Sequence, residues 1–166
     1  MNESGTPAPG AGPGAGADDA DVLARRVAAA MWADDAASAG LGMRLTFVAE
    51  GRAVLEMPVR ADMVNGHGIV HGGFVFMLAD SAFAFACNSR NRRTVAQACD
   101  IVFVAPARLG DILVAEAVER TTFGRNGICD VTVRMAGGAV IAEFRGRSRQ
   151  IEGTVVDGSE SSEEQA

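Results

Sequence analysis

Between Phe74 and Asn88 the chain reads FVFMLADSAFAFACN, a nearly continuous apolar run that holds a single carboxylate, Asp80. A helix that is apolar all round is buried all round, so the rest of the chain must wrap it. The run is too short to cross a bilayer, as is every other apolar stretch, and no membrane-spanning helix is expected. A buried carboxylate without a partner is strongly unfavourable unless it is hydrogen-bonded or protonated. Asp80 therefore has two readings. It is either a satisfied acid at an interface, or a general base or nucleophile in a dry pocket.

The flanking sequence supplies the wrapping. DDADVLARRVAAAMWADDAASAGLG opens on acids and ends at Gly40 and Gly42, which predicts a helix from about Asp18 to Ser38. MRLTFVAEG and RAVLEMPV alternate about Glu50-Gly51 and predict a β-hairpin. Arg60 to Gly73 reads as loop and Phe74 to Ser89 as helix. Four further strands follow, with turns at Gly110, Gly124, Gly127 and Gly137-Gly138. The order of helix, two strands, helix, four strands predicts an α+β fold, a mostly consecutive antiparallel sheet covering the central helix. One small sheet covers only one side of that helix. The other side requires a second subunit, so an obligate oligomer is expected.

The ends differ from this middle. Residues 1–17 are rich in Gly, Pro and Ala, and residues 153–166 are acidic and serine-rich; neither composition builds a core. The expected domain is 18–152. The net charge of −6 gathers at the two ends, and all 15 basic residues are Arg. Arg forks suit phosphate, although compositional bias produces the same set. The predicted first helix carries only Arg25 and Arg26, too little basic surface to read nucleic acid. The start of the sequence lacks the pattern of a secretion signal. Cys87, Cys99 and Cys129 sit in apolar contexts without zinc-ligand spacing, as free thiols of a cytoplasmic protein do. His67 and His71 lie four apart in a glycine-broken loop without a third ligand, so no metal is expected, and no cofactor is implied.

His71-Gly72-Gly73 stands where the central helix begins. The first N–H groups of a helix have no internal partner and carry the positive end of its dipole, so one of them can polarise a carbonyl. The bland alternative is that the glycines only permit a tight turn. Asp80 lies eight residues beyond Gly72, ~12 Å along a helix, too far for one carbonyl to meet both groups. Two such helices packed antiparallel across a two-fold axis would bring the Asp of each near the N-terminus of the other.

The stretch MVNGHGIVHGGFVFMLADSAFAFACNSRN resembles the central motif of the hotdog-fold acyl-CoA thioesterases, in their phenylacetate-degradation branch. The resemblance implies a sheet wrapped round the helix and a homodimer that joins two sheets, with two dimers forming a homotetramer. It implies an acyl-CoA substrate of the (hydroxy)phenylacetyl class and Asp80 as the catalytic carboxylate. It further implies that the Gly72 N–H holds the thioester oxygen and that Asn65 positions substrate or water. Many members carry a hydroxyl residue on the strand after the helix; here that region reads Ala96-Gln97-Ala98, leaving the role unfilled or held by Gln97. His71 would order the loop beside Gly73. Arg125, Arg145 and Arg147, on the loop and strand that flank the CoA nucleotide in that family, are candidate phosphate contacts. A thioester needs a polarised carbonyl and an activated water or attacking carboxylate, and no Ser-His-Asp set. The rivals are a hotdog dehydratase or hydratase, whose catalytic His stands at a different spacing from its acid, and a non-catalytic acyl-CoA sensor, which lacks the acid.

Overall fold

The computed structural model describes residues 15–157. The elements are α1 (Ala15–Asp34), α2 (Ala36–Gly40), β1 (Arg44–Ala49), β2 (Arg52–Pro58), α3 (Gly72–Asn88), β3 (Thr94–Phe103), β4 (Ile112–Phe123), β5 (Asn126–Met135) and β6 (Val140–Gln150). Most of the tail expected over 1–17, and residues 158–166 of the other, lie outside the described residues.

All six strands pair antiparallel in the order β1-β2-β4-β5-β6-β3. The series is consecutive except for β3, which leaves its place between β2 and β4 to form the far edge beside β6. The inner face alternates with period two: Ala53, Leu55 and Met57 on β2, Leu113, Ala115 and Ala117 on β4, and Cys129, Val131 and Val133 on β5 are all buried. Small residues on this face let the helix approach. A β-carbon built on Gly146 would lie 2.4 Å from the Phe83 ring, so any side chain there would push α3 off the sheet. Phe83 and Phe76 both pack on Phe144, with ring centroids 5.9 and 5.5 Å apart.

Four expectations need correction. The first helix is not continuous to Ser38. Asp35 breaks it because its carboxylate accepts the Ser38 N–H at 3.0 Å and caps a second, short helix. The Ser38 hydroxyl then meets that of Ser81 at 2.8 Å in the core, tying α2 to α3. The segment before α3 is not wholly loop: a 3-10 turn covers Ala61–Met63, and Val64 bridges Val70. Helix α3 begins at Gly72 rather than Phe74, because His71 serves as its N-cap. Gly127 lies within β5 rather than in a turn, where a β-carbon would sit 2.6 Å from the Ser148 hydroxyl. Gly51, Gly110, Gly124 and Gly138 do hold positive φ, as turns of this kind require.

The expected boundary at residue 152 also falls short. Asn91, at φ 57°, accepts the N–H groups of Val155 and Val156 and donates to the Val156 carbonyl, so the chain as far as that point is held against the domain.

Helix α3 is not closed on every side within one chain. Gly73 is exposed, and Met77, Asp80 and Ala84 are half-buried. The spacing of four, three and four places them along one stripe. The edge strand β3 is open as well, with Val95 46%, Val102 65% and Phe103 53% exposed. An unpaired apolar edge beside an uncovered helical stripe is a surface that needs a partner.

Candidate active site

A compact loop leads into α3. Asn65 donates its N–H to the Ile69 carbonyl at 2.8 Å, and its side-chain oxygen accepts the His67 N–H at 2.9 Å. Gly68, at φ 73°, lets the loop close. The Asn65 oxygen is thereby committed and its Nδ2 is left as the donor. His71 donates its N–H to the Met63 carbonyl at 2.8 Å, which fixes the start of the helix against the 3-10 turn.

The two glycines then have different fates. The His71 Nδ1 accepts the Gly73 N–H at 3.0 Å. Gly73 is therefore spent on capping, with the imidazole Nδ1 as its acceptor. Among the described residues no acceptor takes the Gly72 N–H. It is the first helical N–H, at the positive end of the dipole. Ordering of the loop by His71 thus has a specific form: it occupies the neighbouring donor and leaves Gly72 as the one presented.

Asn65 and Gly72 meet in a cleft of about 490 Å³ whose other walls are Ile69, Val70, Val75, Phe103, Val104, Ala105, Pro106 and Ile141. Two polar groups in an apolar cleft can orient a small acyl group by its carbonyl. Asp80 does not line this cleft. It stands two turns further along α3 on the open stripe, and its pKa is raised above the ordinary carboxylate value by burial. No ion pair or hydrogen bond to its carboxylate occurs among the described residues. Cys99, on the inner side of β3, has its thiol pKa raised by burial and then by the Asp80 charge. The half-buried thiol therefore stays protonated beside the acid.

Gln97 is the extra residue of a β-bulge between Ala96 and Ala98 and is exposed. A bulge re-aims the chain locally, and it puts this side chain on an open edge. The three Arg candidates separate. Arg145 and Arg147 are on the outer face of the sheet, away from α3. Arg145 grips Asp130 at 2.6 and 2.9 Å, and Arg147 meets Asp100 at 2.7 Å. Arg125 lies at the β4–β5 turn, donates to the Gln150 carbonyl, and borders a pocket of about 70 Å³ with Arg90 and Arg92. Of the three, only Arg125 combines a cavity with freedom from a carboxylate partner among the described residues. Phe103 was not legible as a site residue. Nothing in local spacing links the end of β3 to the start of α3; only the crossing of β3 to the sheet edge does.

An antiparallel six-stranded sheet wrapped on a long apolar helix is the fold of the hotdog thioesterases. Residues 67–142 match the Thioesterase superfamily. The chain is 43% identical over 126 residues to the acyl-coenzyme A thioesterase PaaI of Escherichia coli strain K12, spanning 76% of this chain and 90% of that one. The solved structure of the E. coli PaaI protein from the phenylacetic acid degradation operon superposes with a TM-score of 0.80 at 42% identity, covering 81% of this chain and 97% of that one. A point mutant of the phenylacetic acid degradation protein PaaI from Thermus thermophilus gives a TM-score of 0.66 at 37% identity, over 69% of this chain and 97% of that one. The chain belongs to the thioesterase superfamily, in its PaaI-type branch, and is a thioester hydrolase.

The raised pKa of Asp80 gives a signed expectation. A protonated carboxyl neither accepts a proton from water nor attacks a carbonyl, so activity should fall as pH drops through the Asp80 pKa. Because that pKa is raised, the acid limb of kcat/KM should lie above the ordinary carboxylate range of ~4. The check is a pH profile from about 3.5 to about 8, with assembly verified at each pH. A limb at or below the ordinary range would contradict the role given to Asp80.

Proposed function

We propose that this protein hydrolyses acyl-CoA thioesters of the (hydroxy)phenylacetyl class, in the cytoplasm, at sites shared between two subunits. The observation that carries this reading is the cleft where Asn65 and the Gly72 N–H, without an acceptor among the described residues, face apolar walls, with Asp80 too far along the same helix to serve it. The open α3 stripe and the apolar β3 edge support a homodimer in which two such helices run antiparallel, and two dimers make a homotetramer. Each pocket then takes Gly72 and Asn65 from one protomer and Asp80 of the partner subunit.

In that pocket the thioester oxygen accepts the Gly72 N–H, and its developing negative charge meets the helix dipole. The Asn65 amide holds the substrate or the water from the same side. Asp80 takes a proton from the water that attacks the carbonyl carbon, or attacks it directly and is released by water. On either route the C–S bond breaks, CoA leaves as the thiol, and the free acid forms. Gln97 is close in sequence to the strand position of the helper, and Arg125 is the best placed of the three arginines to meet a CoA phosphate. The E. coli and Thermus relatives, named for phenylacetic acid degradation, support the aryl-acetyl preference.

The test is a hydrolysis screen over short, long and aromatic acyl-CoA esters, reading free thiol. The highest kcat/KM is expected for phenylacetyl-CoA or a ring-hydroxylated form. A maximum on long-chain esters would overturn the substrate assignment, and no hydrolysis of any ester would overturn the function.

A further inference from the structure

Phe103 lies directly on the Gly72 backbone. A β-carbon built on Gly72 would sit 2.7 Å from the Phe103 Cζ and 3.1 and 3.3 Å from its two Cε atoms, so the ring edge fills the space a side chain would take. Phe103 is the last residue of β3, is 53% exposed, and is the one aromatic residue among those lining the cleft. The ring therefore belongs to the cleft wall rather than to the core beneath the sheet. It stands beside Gly72, whose N–H has no acceptor among the described residues.

A carbonyl oxygen that accepts this N–H sits within ~3 Å of the backbone nitrogen. The Phe103 ring, packed on the same residue and lining the same cleft, borders the space that such an acyl group enters. A methylene next to the carbonyl presents only hydrogens to the ring edge. A methyl branch there needs the space that the ring occupies.

We propose that Phe103 determines specificity at the acyl α-carbon, admitting acyl groups with an unbranched methylene beside the carbonyl and excluding those with a substituent on it. The proposal rests on the reading that Gly72 N–H holds the thioester oxygen. It explains why position 72 carries no side chain: the space is reserved for a ring that shapes the substrate, and a residue with a β-carbon would displace it.

The test uses wild type, Phe103→Ala and Phe103→Leu with two matched pairs, butanoyl-CoA against 2-methylbutanoyl-CoA and phenylacetyl-CoA against 2-phenylpropanoyl-CoA. Wild type should favour the unbranched member of each pair by ~10-fold or more in kcat/KM, the scale a single methyl group commands in a shaped pocket. Phe103→Ala should bring both ratios to within ~3-fold, chiefly by raising the branched member, and Phe103→Leu should fall between. Should Phe103→Ala fail to assemble, the leucine variant carries the test alone. A second arm places Gly72→Ala in both backgrounds. It should be strongly impaired with Phe103 present and partly rescued by Phe103→Ala, because the clash has been removed. Ratios unchanged in both Phe103 variants, a wild type indifferent to branching, or Gly72→Ala equally impaired in both backgrounds would overturn the proposal. A wild type that hydrolyses none of the four esters would overturn the (hydroxy)phenylacetyl-CoA substrate assignment instead, so the two failures are distinguishable.

Discussion

Asp80→Asn should reduce turnover by ~100-fold or more while leaving assembly and acyl-CoA binding intact, the loss expected when a positioned acid or base is removed. Asn has the shape of Asp and can still hydrogen-bond, so packing along α3 is preserved. It has no basicity at neutral pH and does not attack a thioester. In the folded chain the carboxylate is half-buried, with its charged form disfavoured by desolvation and, among the described residues, no partner to offset it. Removing that charge should leave the melting temperature unchanged or higher, which separates a chemical defect from a folding defect. Hydrolysis of phenylacetyl-CoA and thermal denaturation of the same preparation provide the check. Activity within a few-fold of wild type would remove Asp80 from the mechanism.

Much of this architecture can be read locally. The strands show period-two alternation with glycine at their turns, and α3 is too apolar to be anything but the wrapped element. Three features depended on contacts remote in sequence or on backbone detail. Asp35 breaks the first helix because a short acidic side chain caps the next turn, in competition with an otherwise continuous helical pattern. The crossing of β3 to the sheet edge is a matter of topology; in sequence its segment resembles any other strand. Phe103 reaches Gly72 only because of that crossing. Within the candidate site, HGG was legible as a helix start with free donors. The division of labour was not, because the imidazole occupying the Gly73 N–H and leaving the Gly72 N–H before it depends on the extended conformation of His71, at φ −66° and ψ 131°. Arg145 and Arg147 show the limit of strand residues as candidates: period two decides the face, and theirs is the outer one.

Gly72→Pro together with Asn65→Ala should be as inactive as Asp80→Asn, for a different reason. Proline has no N–H to offer the thioester oxygen. Gly72 is the first helical residue, where proline is best tolerated, and the extended backbone of His71 suits a following proline. The new ring carbons would press on Phe103, a half-exposed side chain at the cleft mouth, so assembly of the loop-lesioned protein must be demonstrated first.

The shared site is tested most directly by mixing these two inactive proteins. Differently tagged Asp80→Asn and Asn65→Ala/Gly72→Pro subunits are exchanged at equal concentrations, and the doubly tagged dimers are isolated. In each heterodimer one pocket collects both lesions and the other collects none. About half of the dimers in the mixture should be mixed, each with one intact site of two, so roughly a quarter of wild-type hydrolysis should return to the mixture and about half to the purified heterodimer. Verified heterodimers that remain inactive would contradict the account, and Asp80 would then act with groups of its own chain.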